Sequence, residues 1–260
     1  MIYLLSDIHL EFFKKNQIDK VLNKIKVKAK KEDTILLAGD ICQVNNDNFE
    51  YFFRGIQTLF KKIIYILGNH EFYNSSIVET INLVNIKISE LNSQINNIIL
   101  LNNDHYYLED YDVIVIGTTL WSNLKYHNDD ISKTKYLIND FNYINNFTPH
   151  DYQKLYEQNY KFLEEKLVQF KDSKKIIMTH HIPSYSLIDK KYDNDSVNSC
   201  FASNLDNLFD ESIIAWTYGH THTPKETTIN NILFKCNPIG YIGENSTFTI
   251  LNELKIKKIE

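Results

Sequence analysis

Short apolar runs that end in a polar cluster and lead into a helical spacing of apolar residues dominate the first third of the chain: Ile2 to Leu5, Ile35 to Ala38, Ile63 to Leu67. Such runs, bounded by polar residues, predict strands buried on both faces. Ile18, Val21, Leu22 and Ile25 follow the first run at helical spacing, and Phe49, Phe52, Phe53, Ile56 and Phe60 follow the second. Amphipathic helices in these positions act as crossovers between parallel strands, so the pattern predicts βαβαβ. In open sheets of this kind ligands collect beyond the carboxyl ends of the strands, which is where the polar clusters fall.

A third helix is predicted from about Ile77 to Leu91. After it the chain changes to short runs rich in β-branched and aromatic residues, Ile98 to Leu101, Tyr106 to Leu108 and Val113 to Ile116, which predict a second sheet. From Trp121 to about Phe147 the sequence is polar and weakly periodic, and reads as an excursion over the face that carries the strand ends. Tyr152, Leu155, Tyr156, Tyr160, Leu163 and Leu167 restore a helical stripe. Ile176 to Thr179, Ile213 to Thr217, Leu233 to Cys236 and Phe248 to Leu251 complete the strands. No Pro/Gly-rich linker and no internal repeat divides the chain, so residues 1–260 read as a single domain.

Composition narrows the class. Hydrophobic residues at 43% and charged residues at 23% are those of a folded soluble protein. A net charge of -5, from 28 Lys+Arg against 33 Asp+Glu, leaves no global positive field for nonspecific nucleic-acid binding. Cys42, Cys200 and Cys236 are odd in number and lack C-x-x-C spacing, which argues for reduced thiols. No stretch has the length of a membrane span and Met1 to Leu5 is too short for a signal peptide, so a cytoplasmic location is expected.

Five clusters carry the candidate chemistry, each directly after a predicted strand: Asp7-Ile8-His9, Gly39-Asp40, Gly68-Asn69-His70-Glu71, His180-His181-Ile182-Pro183 and Gly219-His220-Thr221-His222. Each alone is ordinary turn chemistry, where Gly and Asn tolerate positive φ. Five in series make a metal-ligand inventory. A D-x-H or H-x-H step throws two side chains to one side and can clamp a cation with mixed oxygen and nitrogen donors, and a lone aspartate between two such sets can bridge two ions. Paired cations at a separation of ~3.5–4 Å generate a nucleophilic water and polarise a phosphoryl oxygen.

In this order the clusters resemble the motif set of the calcineurin-like metallophosphoesterases, from near the first residue to His222. Thr119-Leu120-Trp121, the His180 to Ser184 step, Phe201 to Leu205, Trp216 and Cys236 to Tyr241 extend the likeness, to one branch of that family, over nearly the whole chain. The resemblance implies an α/β fold in which a two-sheet β-sandwich is flanked by helices, four layers in the order α/β/β/α. It further implies one divalent ion held by Asp7, His9 and His222, a second by Asn69, His180 and His220, and Asp40 bridging both. His70 would stand beside the phosphate as acid or charge stabiliser, with Asn69 helping to hold the phosphoryl group. Manganese, iron or zinc suits these donors, with manganese the expectation for activity in vitro. The expected partner is a small phosphorylated or phosphodiester substrate.

The tandem His180-His181 leaves two candidates for one ligand. His180 is preferred because it follows the strand directly, with His181 expected near substrate or solvent. Glu71 reads as a group that orients a ligand or a loop amide. His105, His127 and His150 lack any such context. Phe72, Tyr73, Trp121, Tyr126, Tyr136, Phe141 and Tyr143 read as core or lid packing in preference to stacking on substrate, and Asn237 and Tyr241 as possible substrate contacts. The lysines at 24–31 and 255–258 read as solvated faces. Two other functions compete: a non-catalytic scaffold on the same fold, expected to have lost a ligand, and a Ser/Thr protein phosphatase. The latter needs phosphate-binding arginines after its GD step, where this chain has Ile41-Cys42-Gln43 and a single arginine, Arg54.

Overall fold

The computed structural model describes residues 1–126, 131–192, 195, 197–245 and 249–258. Strands β1 (Ile2–Leu5), β2 (Thr34–Ala38) and β3 (Lys62–Ile66) run parallel, joined by helices α1 (Lys15–Lys28) and α2 (Asp47–Gln57). Helix α3 (Ile77–Asn92) then leads to β4 (Ile98–Leu100), which pairs in parallel with β3. β4 therefore belongs to the first sheet and not to the second, as its spacing had suggested. Its neighbours β5 (Asp104–Leu108) and β6 (Val113–Thr118) do open the second sheet.

That sheet continues through β7 (Lys175–Thr179), β8 (Ile213–Tyr218), β9 (Lys225–Ile229) and β10 (Ile232–Cys236), in the order β5-β6-β7-β8-β10-β9. β9 was not expected. It forms a hairpin with β10 across Asn230-Asn231, both at positive φ, the geometry that a two-residue hairpin loop requires. The last strand, β11, spans Asn252–Leu254, later than the predicted Phe248 to Leu251, and closes the first sheet antiparallel to β1. Phe248 and His127 lie outside the described residues.

Side-chain alternation makes the layers. Ile2 and Leu4, Leu36 and Ala38, and Ile64 and Ile66 face Val113, Val115, Ile176 and Met178 in an apolar core between the sheets. Tyr3, Leu5, Ile35 and Leu37 turn to the other side and pack under α1, α2 and α3. Helix α5 (Pro149–Gln169) starts at an N-cap Thr148 with Pro149 next, and a capping box formed with Asp151. Its buried stripe, Tyr152, Tyr156, Leu163 and Leu167, packs on the outer face of the second sheet, over β6. The 121–147 stretch holds 3-10 turns and a four-residue helix, α4 (Asp140–Tyr143). Its first residue, Trp121, is buried against Phe147 and Tyr152, so the excursion is anchored in the core before it reaches the cleft.

Candidate metal centre

All five polar clusters follow directly on β1, β2, β3, β7 and β8 and converge where the carboxyl ends of the two sheets meet. The seam is stitched by backbone bonds: Ser6 N–H donates to Asn237 O, Ile239 N–H to Ser6 O, and Gly240 N–H to Asp7 O. Asp7, His9, Asp40, His220 and His222 all take φ between 49° and 67°. The D-x-H and H-x-H pairs are thus thrown together by left-handed backbone, not by strand pleating. Non-glycine residues held there cost of order 1–3 kcal/mol each, strain that clusters at functional sites. Gly68 is obligatory for space, since a Cβ there would collide with the Asp40 carboxylate and the Asp40 amide.

The donors form two groups around Asp40. Its Oδ1 accepts the His70 N–H at 2.9 Å, while Oδ2 lies 3.4 Å from His180 Nε2 and 3.7 Å from His9 Nε2. On one side His9 Nε2 and His222 Nε2 stand 2.8 Å apart, with Asp7 Oδ1 3.8 Å from the latter. On the other, His180 Nε2 is 3.1 Å from Asn69 Oδ1, and His220 completes a cluster with Asp40 and His180. Asp7, His9 and His222 form a second cluster with ligand atoms within 4.8 Å of one another.

The far nitrogens settle what these atoms can do. His180 Nδ1 lies 2.9 Å from the Ala38 carbonyl, His222 Nδ1 2.7 Å from Glu244 and His9 Nδ1 3.3 Å from Glu11, so each Nδ1 is the donor. In the neutral rings every Nε2 is then a bare lone pair. Lone pairs facing each other across 2.8 Å, and a buried Asp7 Oδ2 with no hydrogen-bond partner, repel unless a cation lies among them. The donor set fits divalent metal. Electrostatics show a surplus of negative charge at the same place: burial opposes protonation of His180 and His70, yet Asp40 and the other acids outweigh it and lift them to about 10 and about 9, so that without a cation these two rings would carry positive charge themselves. Asp40 itself is burdened by burial, but His180, His70 and His9 hold it well below the usual carboxylate range.

Asp40, Asn69, His70, His220 and His222 floor a cleft of about 330 Å³, walled also by Tyr73, Leu137 to Asp140, Phe201, Thr221 and Tyr241. The family model for calcineurin-like phosphoesterases matches residues 1–224. The chain belongs to that family. As a calcineurin-like phosphoesterase it is a hydrolase acting on phosphoester bonds. The phosphoesterase is 34% identical over 262 residues to Uncharacterized protein L509 of Acanthamoeba polyphaga mimivirus, covering 94% of this chain and 92% of that one. Its fold is similar to that of the phosphopantetheinyl hydrolase of Mycobacterium tuberculosis (TM-score 0.71, 13% identity, 98% and 95% of the two chains). TT1561 of Thermus thermophilus is also similar (TM-score 0.57, 10% identity, 91% and 88%).

Every site residue named from the phosphoesterase's sequence, Asp7, His9, Asp40, Asn69, His70, His180, His220 and His222, lies in this one cluster. His181, expected near substrate or solvent, lines neither the cleft nor the surface: it is fully buried, its Nε2 3.1 Å from Tyr152 Oη and its ring 4.2 Å from that of His220. Glu71 ties the loops together, accepting the amides of Asp40, Ile41 and Gly68 and the Tyr65 hydroxyl. Asn237 braces backbone through Leu4 O and Thr249 O, whereas the Tyr241 hydroxyl does reach the cleft, 3.4 Å from His70 Nε2. Tyr73 stacks on His70 at 4.2 Å and Tyr143 on Tyr73 at 5.2 Å, a ladder running outward from the cleft.

Three carboxylates escaped the sequence reading. Glu11 Oε1 lies 3.0 Å from His70 Nδ1 and so serves two histidines at once. Glu244 orients His222, and Asp140, from the excursion, accepts the Asn69 amide at 2.7 Å and the Tyr73 hydroxyl at 2.8 Å. Only Glu11, two residues past His9, lay near enough to a motif to be found. No described helix is long and apolar enough to cross a membrane.

Proposed function

We propose that this phosphoesterase hydrolyses small phosphomonoesters or phosphodiesters at a dinuclear centre. Asp7, His9 and His222 would hold one cation, Asn69, His180 and His220 the other, and Asp40 both. One observation carries the reading: Asp40 Oδ2 stands between His180 Nε2 and His9 Nε2, one from each donor group, on the floor of a cleft that His70 also lines. The cations supply Lewis acidity toward phosphoryl oxygens and acidify water, with manganese, iron and zinc all suited to the donors.

The chain's own residues do the rest. Glu11 holds His70 by Nδ1 and so turns Nε2 into the cleft, where it can protonate the departing oxygen or support charge on the phosphoryl group. Asp140 keeps the Asn69 amide turned with Oδ1 toward His180. Glu71 holds the loops that carry Asp40 and His70 at fixed separation. No arginine or lysine lines the cleft among the described residues, which argues against a protein-phosphatase site built on guanidinium clamps. A scaffold would have had no cause to retain every donor.

The test is hydrolysis of bis-p-nitrophenyl phosphate and p-nitrophenyl phosphate by chelator-stripped protein, with manganese, iron, zinc or magnesium restored. Turnover that needs metal and is lost in Asp40→Ala is expected. A folded protein silent with every metal overturns the proposal.

A further inference from the structure

A second cavity, of about 170 Å³, opens beside the metal cleft and is walled by Ile182, Ile188, Val197 and Phe201. Tyr192, Phe201, His220 and Thr221 line both spaces, so the two adjoin along these residues. The shared wall is rigid. Ile182 N–H donates to Phe201 O at 3.1 Å and Ser203 N–H to Ile182 O at 2.9 Å, a parallel bridge that fixes both apolar walls, and the Phe201 ring packs 4.9 Å from that of His220. A dry apolar cavity of about 150 Å³ takes up benzene, so this one has room for about six carbon atoms.

Charge limits the occupant further. No lysine or arginine lines either space among the described residues, whereas Asp140 and Glu244 line the cleft and Asp195 the side cavity. Lys191 turns its ammonium to the Thr223 hydroxyl, two residues beyond the shared Thr221. Apart from the cleft's histidines and cations held by the donor groups, no described lining residue offers a positive charge to a second anionic group on a substrate.

Resting on the hydrolysis proposed above, we infer that the side cavity seats the esterifying group of the substrate. That group is an uncharged, mainly apolar arm of about six non-hydrogen atoms on a compound with a single phosphoryl group. The phosphoryl group would lie against Asp40 and His70, and the arm would pass along His220 and Phe201. Each methylene buried on this path should tighten binding about 3- to 4-fold until the cavity is full.

The test uses metal-loaded protein and n-alkylphosphonic acids from methyl to octyl, read by inhibition of bis-p-nitrophenyl phosphate hydrolysis and, independently, by calorimetric binding. Affinity is expected to rise about 3-fold per carbon to about six carbons and then level off. A terminal carboxylate on the hexyl chain should cost at least about 10-fold, from Asp195 and the loss of apolar contact. Val197→Asp and Ile188→Trp, each checked for native circular dichroism, should bring the hexyl-to-methyl affinity ratio close to one. A flat series in the unmodified protein, or a ratio unchanged in both variants, overturns the inference. Ester turnover with a flat series leaves the hydrolysis reading standing and removes the arm. Chain-dependent binding with no ester turned over does the reverse.

Discussion

Replacing Asp140 tests whether the 121–147 excursion shapes the metal centre. Its buried carboxylate accepts two hydrogen bonds, from Asn69 Nδ2 at 2.7 Å and Tyr73 Oη at 2.8 Å. The Asn69 amide has two orientations of nearly equal shape, and only the one with Nδ2 on Asp140 turns Oδ1 toward His180. Hydrogen bonds to a charged acceptor contribute about 1.5–3 kcal/mol each, so Asp140→Ala should cost about 3–5 kcal/mol of stability. Freeing a ligand from its orienting partner should also weaken metal binding by about 10- to 100-fold. Asp140→Asn keeps the shape and one acceptor oxygen, and should recover most of that loss. Manganese affinity, measured by chelator competition on variants that retain native circular dichroism, reads the effect. A double-mutant cycle with Asn69→Ala locates it. If the two single losses simply add, with coupling below about 0.5 kcal/mol, Asp140 does not act through Asn69 and the reasoning fails.

Four further outcomes are expected. Glu11→Ala should lower both metal affinity, through His9, and turnover, through His70, with Glu11→Gln partly restoring each; a variant losing only stability would contradict the double role. Chelation should lower the melting temperature, because ligand at about 100 times its dissociation constant adds about 2.7 kcal/mol, and an unchanged melting curve would mean no bound metal. In the stripped protein His180 and His70, lifted to about 10 and about 9 from 6.5, contribute stability that is fully present below pH 6.5 and lost as pH rises toward 9–10. Melting temperatures flat from pH 6.5 to 10 would refute that coupling. Cys42, Cys200 and Cys236 are buried, and burial pushes Cys200 up to about 12, so the native protein should resist a thiol reagent at pH 8 and expose three thiols only when unfolded.

The strand-end clusters were legible because each packs its chemistry into a few consecutive residues. Apolar runs such as Ile2 to Leu5 mark a strand buried on both faces, and the loop leaving the carboxyl end of such a strand in an α/β sheet lies at the ligand-binding edge. Membership of β4 in the first sheet was not legible, since Ile98 to Leu100 has the same composition as a strand of either sheet and pairing with β3 is a long-range choice. β9 hid because its alternation of half-buried and exposed residues carries little apolar signal, although Asn230-Asn231 marked the turn.

By itself the sequence marked the candidate donors: Asp7, His9, Asp40, Asn69, His180, His220 and His222 are strand-end residues whose types point to metal chemistry before any distance is known. Tertiary structure alone decided how they are used. It turned the His180 ring to Asp40 and buried that of His181 behind His220. It brought Asp140 to Asn69 across 71 residues and Glu244 to His222 across 22. Orientation of a ring or an amide depends on which atom meets its far side, and that atom is supplied by whatever chain the fold packs there, which local sequence does not encode.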